Sequence, residues 1–131
     1  HPMCITMKGM TSQQLPTPLG PYSMCKTHNG IVYVSGIVPV KPGEKTSIDA
    51  DFSTQCRLVF SHLKNCLEAH DSCLEYLLKL RVYVTDISNG PLLNELYPQL
   101  VPQPYPTRVL IEVSKLPFNA PIEIEAEAYQ Q

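Results

Sequence analysis

The chain has 131 residues, a formal net charge of −2 and a charged fraction of 17%, below the roughly one quarter typical of globular domains. This length predicts a single domain spanning all 131 residues, with His1 and Pro2 interpreted as a remnant of expression. Nucleic-acid binding is not expected, because the longest basic cluster is Lys79 with Arg81. No membrane span is expected either, because no run of about 18 apolar residues occurs.

The five cysteines are scattered and odd in number, and no Cys-x-x-Cys pair occurs among them. This pattern predicts neither a disulfide framework nor a zinc site, and it is typical of a reducing, cytoplasmic compartment. Cys25, Cys56 and Cys66 fall at apolar positions and are predicted to be core thiols. The histidines have no metal-ligand spacing, and His62 and His70 are predicted to lie at the surface.

The first half of the chain predicts short strands and then a helix. Residues 4–7 are a candidate strand, followed by a proline-rich loop. Residues 22–27 and 31–35 flank Asn29-Gly30, the strongest short hairpin signal, and Gly36 is expected to stop or bend the second strand. From 50 to 70 apolar residues recur every three or four positions, which predicts a long helix with Asp49 or Asp51 as its N-cap.

Alternation then predicts a strand over 77–85, and the next apolar stripe predicts a helix over 91–100, with Pro91 in its first turn. The last 27 residues read as two facing strands. If Val113 lies opposite Ile122, Arg108 lies opposite Glu127 and within reach of Glu125. A guanidinium beside two carboxylates can hold a small charged ligand, or it can be a structural cross-strand pair.

This order of elements predicts an α+β architecture, in which two helices cover one face of a mostly antiparallel sheet. The other face would carry half-apolar side chains such as Tyr83 and Leu110. An exposed sheet face of that kind usually marks an association surface.

Six segments of the sequence are informative together: Gly20-Pro21-Tyr22-Ser23, Val34-Ser35-Gly36-Ile37-Val38-Pro39, Val82-Tyr83-Val84-Thr85-Asp86, Asn94-Glu95-Leu96-Tyr97, Tyr105-Pro106-Thr107-Arg108 through Leu116-Pro117, and Ile122-Glu123-Ile124-Glu125-Ala126. In this order and spacing they resemble the reactive intermediate deaminase family, RidA/YjgF. The resemblance implies a chorismate-mutase-like fold and a homotrimer with ligand clefts between subunits. It also implies cofactor-independent hydrolysis of 2-iminobutanoate and 2-iminopropanoate to 2-keto acids and ammonia.

The resemblance also implies roles for individual side chains. Arg108 matches the arginine that binds the substrate carboxylate, and Glu125 matches the glutamate assigned to the hydrolytic water. Tyr22, Ser35 and Asn94 match other positions of the cleft. Each also has a bland interpretation: a cross-strand ion pair for Arg108, a solvated strand residue for Glu125, packing or turn residues for Tyr22 and Ser35, and a surface or capping contact for Asn94.

Two residues depart from the family pattern. Ile37 stands where glutamine is usual, and Leu110 replaces a small or sulfur-containing residue; both are expected to make the cleft more apolar. The leading hypothesis is an imine hydrolase. The alternatives are a non-catalytic trimer that binds a 2-keto acid and, least favoured, the ribonuclease or translation inhibitor of the family's older label.

Overall fold

A computed structural model describes residues 15–131, and within them the chain forms five strands and two helices. In chain order these are β1 (Cys25–His28), β2 (Ile31–Ile37), α1 (Phe52–Glu68), β3 (Leu77–Val84), α2 (Gly90–Leu100), β4 (Thr107–Glu112) and β5 (Ile122–Tyr129). The predicted hairpin, long helix, middle strand and second helix are confirmed to within a few residues. The candidate strand at 4–7 lies outside the described residues.

The strands form one mixed sheet in the order β1-β2-β5-β3-β4. All neighbouring pairs are antiparallel except β3 and β4, which run parallel. The expected pairing of the last two strands is therefore wrong, because β3 lies between them: Val82 faces both Leu110 and Ile124. β3, α2 and β4 form a strand–helix–strand crossover, which is the connection that parallel pairing requires.

The two helices cover one face of the sheet, as predicted. On β5 the residues facing the helices are fully buried, namely Ile122, Ile124, Ala126 and Ala128. Asp51 caps α1 by accepting a hydrogen bond from the Thr54 backbone N–H at 2.9 Å. The α+β architecture is thus a two-layer arrangement with its core between helices and sheet.

Local backbone geometry fixes the β1–β2 hairpin and then bends β2. Asn29 and Gly30 both have positive φ, 51° and 77°, as a two-residue turn of this kind requires. Beyond the turn, β2 does not stop at Gly36: it continues to Ile37 through an irregular register between Val34 and Ile37. Such a bulge re-aims side chains, and Ser35 and Gly36 lie within it.

Two expectations about titratable side chains are wrong. Cys73 is disulfide-bonded, so the cysteine pattern no longer supports a reducing compartment. His62 is 3% exposed rather than at the surface, and its Nε2 is 2.8 Å from the carbonyl oxygen of Val40. Cys56 and Cys66 are buried free thiols as predicted, whereas Cys25 is only half-buried. Neither helix in residues 15–131 is long and apolar enough to cross a membrane.

Candidate functional site

The predicted carboxylate receptor is built where β4 meets α2. Arg108 lies opposite Leu80 in the sheet, on the face that the helices cover. Its guanidinium donates a hydrogen bond to Asn94 Oδ1 at 2.8 Å and lies 4.8 Å from the ring centre of Tyr97. The structure therefore brings Arg108 and Asn94 together, as the resemblance implied.

The remaining donors of Arg108 face an open depression. It is lined by Asn94, Tyr97, Pro98, Tyr105, Pro106 and Arg108. No carboxylate among residues 15–131 forms an ion pair with this guanidinium, so the cross-strand pair considered as its structural explanation is absent from the described residues. A planar guanidinium with free N–H groups suits a two-point contact with a ligand carboxylate.

The carboxylates lie on the opposite, open face of the sheet. Arg81, not Arg108, pairs with Glu127, through contacts of 2.6 and 3.1 Å. The hydroxyl of Tyr83 donates to Glu125 Oε1 at 2.5 Å, and this bond is the main reason that the pKa of Tyr83 is raised. The Lys79–Arg81 cluster thus offers little free positive charge, because Glu127 neutralises Arg81.

A second glutamate, Glu123, lies on this face, and it is not among the site residues that the sequence predicts. Burial, with the charge of Glu125 as a smaller cause, raises the pKa of Glu123 above its ordinary 4.5. Its carboxylate lies against the backbone of Gly36: a Cβ at Gly36 would be 2.0 Å from Glu123 Oε2. Glu123 and Glu125 share a shallow depression with Tyr83, Gly36 and Leu116. Glu123 and Glu125 occupy equivalent positions in the alternating pattern of β5, so the pattern does not distinguish them. What distinguishes Glu123 is its contact with Gly36 in the β2 bulge.

Tyr22 and Ser35 lie on the same side as these glutamates. Together with Glu125 they line another depression in the described chain, next to Glu127. The Ser35 hydroxyl donates to the Ser23 carbonyl at 2.6 Å, and the Tyr22 hydroxyl accepts a hydrogen bond from the Leu19 N–H at 3.2 Å. Three of the five predicted site residues are therefore gathered here.

The register of the sheet places Arg108 and the glutamates on opposite faces of one subunit. Arg108 shares its row with Leu80 and Ala126, which are fully buried beneath the helices. The next row, Arg81 with Glu125, projects from the other face because successive residues of a strand alternate. The expectation that Arg108 and Glu125 meet on one face of one subunit is therefore wrong.

The two residues that depart from the family pattern, Ile37 and Leu110, lie in different places in the fold. Ile37 is 2% exposed and packs in the core, and it also lines a small cavity beside Tyr22. Leu110 is half-buried, two residues beyond Arg108 on the same face, and its methyl group packs close to Gly90. Of the two, Leu110 is the one that lies beside the carboxylate receptor.

Comparison with known proteins agrees with this fold and with the motifs. The family model of endoribonuclease L-PSP matches residues 12–130. A RutC family protein of Pyrococcus horikoshii is 33% identical over 120 residues, covering 92% of this chain and 95% of that protein. Escherichia coli TdcF, named as a candidate reactive intermediate deaminase, is 32% identical over 124 residues, covering 92% and 95%.

Solved structures give the same answer. The crystal structure of RidA from an Antarctic Psychrobacter superposes with a TM-score of 0.84 at 31% identity, covering 92% of this chain and 96% of that one. The crystal structure of E. coli TdcF with bound serine gives 0.83 at 33% identity, covering 91% and 95%. Because the family model spans most of the chain and the relatives exceed 30% identity over nearly their full length, the chain belongs to the reactive intermediate deaminase family, RidA/YjgF, whose family model carries the name endoribonuclease L-PSP.

Proposed function

We propose that this protein hydrolyses reactive 2-imino acids, such as 2-iminobutanoate and 2-iminopropanoate, to 2-keto acids and ammonia. It would do so without a cofactor, as a homotrimer of single-domain subunits of chorismate-mutase-like fold. The observation that carries the proposal is Arg108: its guanidinium is held by Asn94 and Tyr97 and is paired with no carboxylate in residues 15–131. The serine bound to E. coli TdcF, itself a small carboxylate, supports a ligand of this class.

The geometry of the sheet supports a site placed between subunits. Arg108 and the glutamates lie on opposite faces of one subunit, so a cleft that uses both must take them from neighbouring subunits. The open face carries exposed Tyr33, Val109 and Ile111, which gives an association surface apolar contacts to bury.

The chemistry needs orientation and a poised water. In this cleft Arg108 would fix the substrate carboxylate through two parallel hydrogen bonds. A glutamate near the C=N carbon would take a proton from the attacking water, a contribution of about 100- to 10,000-fold. The raised pKa of Glu123 suits a group that accepts that proton and passes it to the leaving nitrogen, while Glu125 is held by Tyr83. Tyr22 and Ser35 would supply further polar contacts to the adduct.

A coupled assay tests the activity. A pyridoxal-dependent threonine dehydratase generates 2-iminobutanoate, semicarbazide traps it, and this protein competes with the trap. We expect faster formation of 2-oxobutanoate, and we expect Arg108→Ala to abolish the effect. Wild-type protein that binds 2-oxobutanoate but leaves the rate unchanged would favour the non-catalytic binding trimer instead.

The two glutamates are separated by matched variants. Glu123→Gln and Glu125→Gln each remove one charge and keep the side-chain volume. The variant that loses turnover while retaining 2-oxobutanoate binding identifies the residue that activates water. If both variants keep full turnover, a glutamate base on this face is refuted.

Mixing variants tests the location between subunits. Subunits carrying Arg108→Ala and subunits carrying the inactive Glu→Gln change are co-refolded in equal amounts. In a random trimer about a quarter of the clefts would then combine an intact arginine with an intact glutamate, so about a quarter of the wild-type activity should return. If both residues serve a cleft within one subunit, mixing restores nothing.

A further inference from the structure

Tyr97 has a ring that is nearly buried and contacts both aromatic side chains and the guanidinium of Arg108. It lies on α2, is only 7% exposed and has three neighbours around its ring. Phe60 meets it edge-on at 6.3 Å between ring centres, Tyr105 lies tilted at 5.4 Å, and the guanidinium of Arg108 lies 4.8 Å from its centre. One face of a core tyrosine therefore supports the candidate carboxylate receptor.

The hydroxyl of Tyr97 does not explain why a tyrosine stands there. Its oxygen is buried and has no hydrogen-bond partner among residues 15–131, and burial raises its pKa. A buried hydroxyl without a partner is unfavourable for stability. The ring makes the contacts, and its contact with Arg108 is the one that reaches the site.

An arginine on an open surface samples many rotamers, and binding a carboxylate would fix it in one of them. Here two contacts hold the guanidinium in advance, the hydrogen bond to the Asn94 oxygen and the Tyr97 ring near it. A cation–π contact is worth the equivalent of about 2- to 30-fold in an equilibrium constant, depending on how dry it is. Because this contact lies within the protein, that range is the most that its loss can cost in ligand binding. Removing the ring should therefore weaken ligand binding without touching the reacting atoms.

We propose that Tyr97 is a positioning residue, whose ring preorganises Arg108 to bind the substrate carboxylate. The inference rests on the proposed function, and it assigns the role to the ring and not to the hydroxyl. Because the carboxylate contact is made alike in the bound substrate and in the transition state, losing its preorganisation raises KM and leaves kcat unchanged.

The test compares two ring losses in the same aromatic cluster. Tyr97→Leu removes the ring that contacts Arg108, whereas Phe60→Leu removes a neighbouring ring, which the described contacts do not connect to Arg108. Tyr97→Phe keeps the ring and deletes only the hydroxyl. Where Tyr97→Leu does not fold, Tyr97→Met fills the space with a flexible side chain.

Two quantities are measured for each variant: the Kd for 2-oxobutanoate by calorimetry, and kcat and KM in the coupled assay. We expect Tyr97→Leu or Tyr97→Met to raise Kd and KM by about 2- to 30-fold with kcat unchanged. Tyr97→Phe and Phe60→Leu should match the wild-type Kd and KM. Equal effects of Tyr97→Leu and Phe60→Leu, or loss of binding in Tyr97→Phe, would overturn the inference.

A wild-type protein that neither binds 2-oxobutanoate nor competes for the imine would refute the proposed function, and this inference with it. A wild type that does both, with Tyr97→Leu unaffected, would refute the inference alone. The side-chain Nε–H resonance of Arg108, assigned with Arg108→Lys, gives an independent reading. It should be shifted upfield by the ring in wild type and Tyr97→Phe, and an unshifted resonance in wild type would contradict the contact.

Discussion

Replacing Gly36 with alanine tests whether turnover depends on where the Glu123 carboxylate lies. A Cβ at Gly36 would be 2.0 Å from Glu123 Oε2, whereas ordinary van der Waals contact begins at 3.4 Å. The carboxylate oxygen would therefore have to retreat by about 1.4 Å to reach ordinary contact. Because a misplacement of about 1 Å costs on the order of 100-fold in rate, we expect kcat/KM in the coupled assay to fall by about that factor.

Stability should respond much less than activity. The obstructing atoms belong to the far end of a flexible side chain, and the backbone at Gly36 does not have a positive φ. The free energy of unfolding should change by less than about 1 kcal/mol, since alanine loses less backbone entropy than glycine on folding. Circular dichroism in a urea titration measures this change beside the kinetic assay.

A double variant shows whether the effect passes through Glu123. In a Glu123→Ala background the added methyl group meets no carboxylate, so Gly36→Ala should have no further effect on kcat/KM. Independent losses that multiply would mean that Gly36 acts by another route. Full activity in Gly36→Ala would refute a role for Glu123 and leave Glu125 as the remaining candidate.

Two further predictions concern buried titratable groups. Burial lowers the pKa of His62 below its ordinary 6.5, so the unfolded chain binds a proton that the folded chain does not. The free energy of unfolding should therefore fall as the pH drops below 6.5, and urea titrations at several pH values should show a smaller fall in His62→Gln. Among the free thiols of residues 15–131, Cys25 should be alkylated first. Its pKa is lowered by a hydrogen bond from Cys66, whereas burial raises the pKa of Cys56 to about 12. Mass spectrometry of partly alkylated protein checks this order, and equal labelling of Cys25 and Cys56 would contradict it.

The elements that the sequence predicts well are those specified by nearby residues. Asn29-Gly30 requires a turn with positive φ at both positions, and the apolar spacing of residues 50–70 requires a helix with one buried side. The same spacing indicates a buried position for His62, because His62 lies three residues after Val59 and four before Cys66. Residue type alone favours a surface position for histidine, and in this helix the spacing of the apolar residues is the more informative signal.

Strand neighbours are not specified so locally. β4 and β5 are consecutive strands joined by a short connection, so pairing them is the simplest interpretation of the sequence. The competing signal was the strand–helix–strand order of β3, α2 and β4, which favours parallel pairing. Because β3 lies between the last two strands, Arg81 on β3 forms the ion pair with Glu127. Arg108 then has no carboxylate partner in the described chain.

The candidate site shows the same division between local and distant information. Asn94 and Arg108 were predicted to share a site, and they meet because α2 packs beside β4. Glu123 could not be distinguished from Glu125, since both occupy equivalent places in an alternating strand. What separates them is Gly36, a residue more than 80 positions earlier, whose lack of a side chain leaves room for one carboxylate and not the other.

The candidate site has two halves, Arg108 with its neighbours and the glutamates of β5. Each half is held by contacts within one subunit, but neither contains all the groups that the proposed chemistry needs. Asn94 and Tyr97 already hold Arg108 within one subunit, and Tyr83 already holds Glu125. Neither set of contacts needs a neighbour to form, so both halves are preorganised before any association. If neighbouring subunits join them, assembly has only to align two rigid surfaces, which avoids an ordering cost at the reacting groups. With the arginine and the glutamates on opposite faces of one sheet, the proposed activity would depend on association, which the mixing of variants tests.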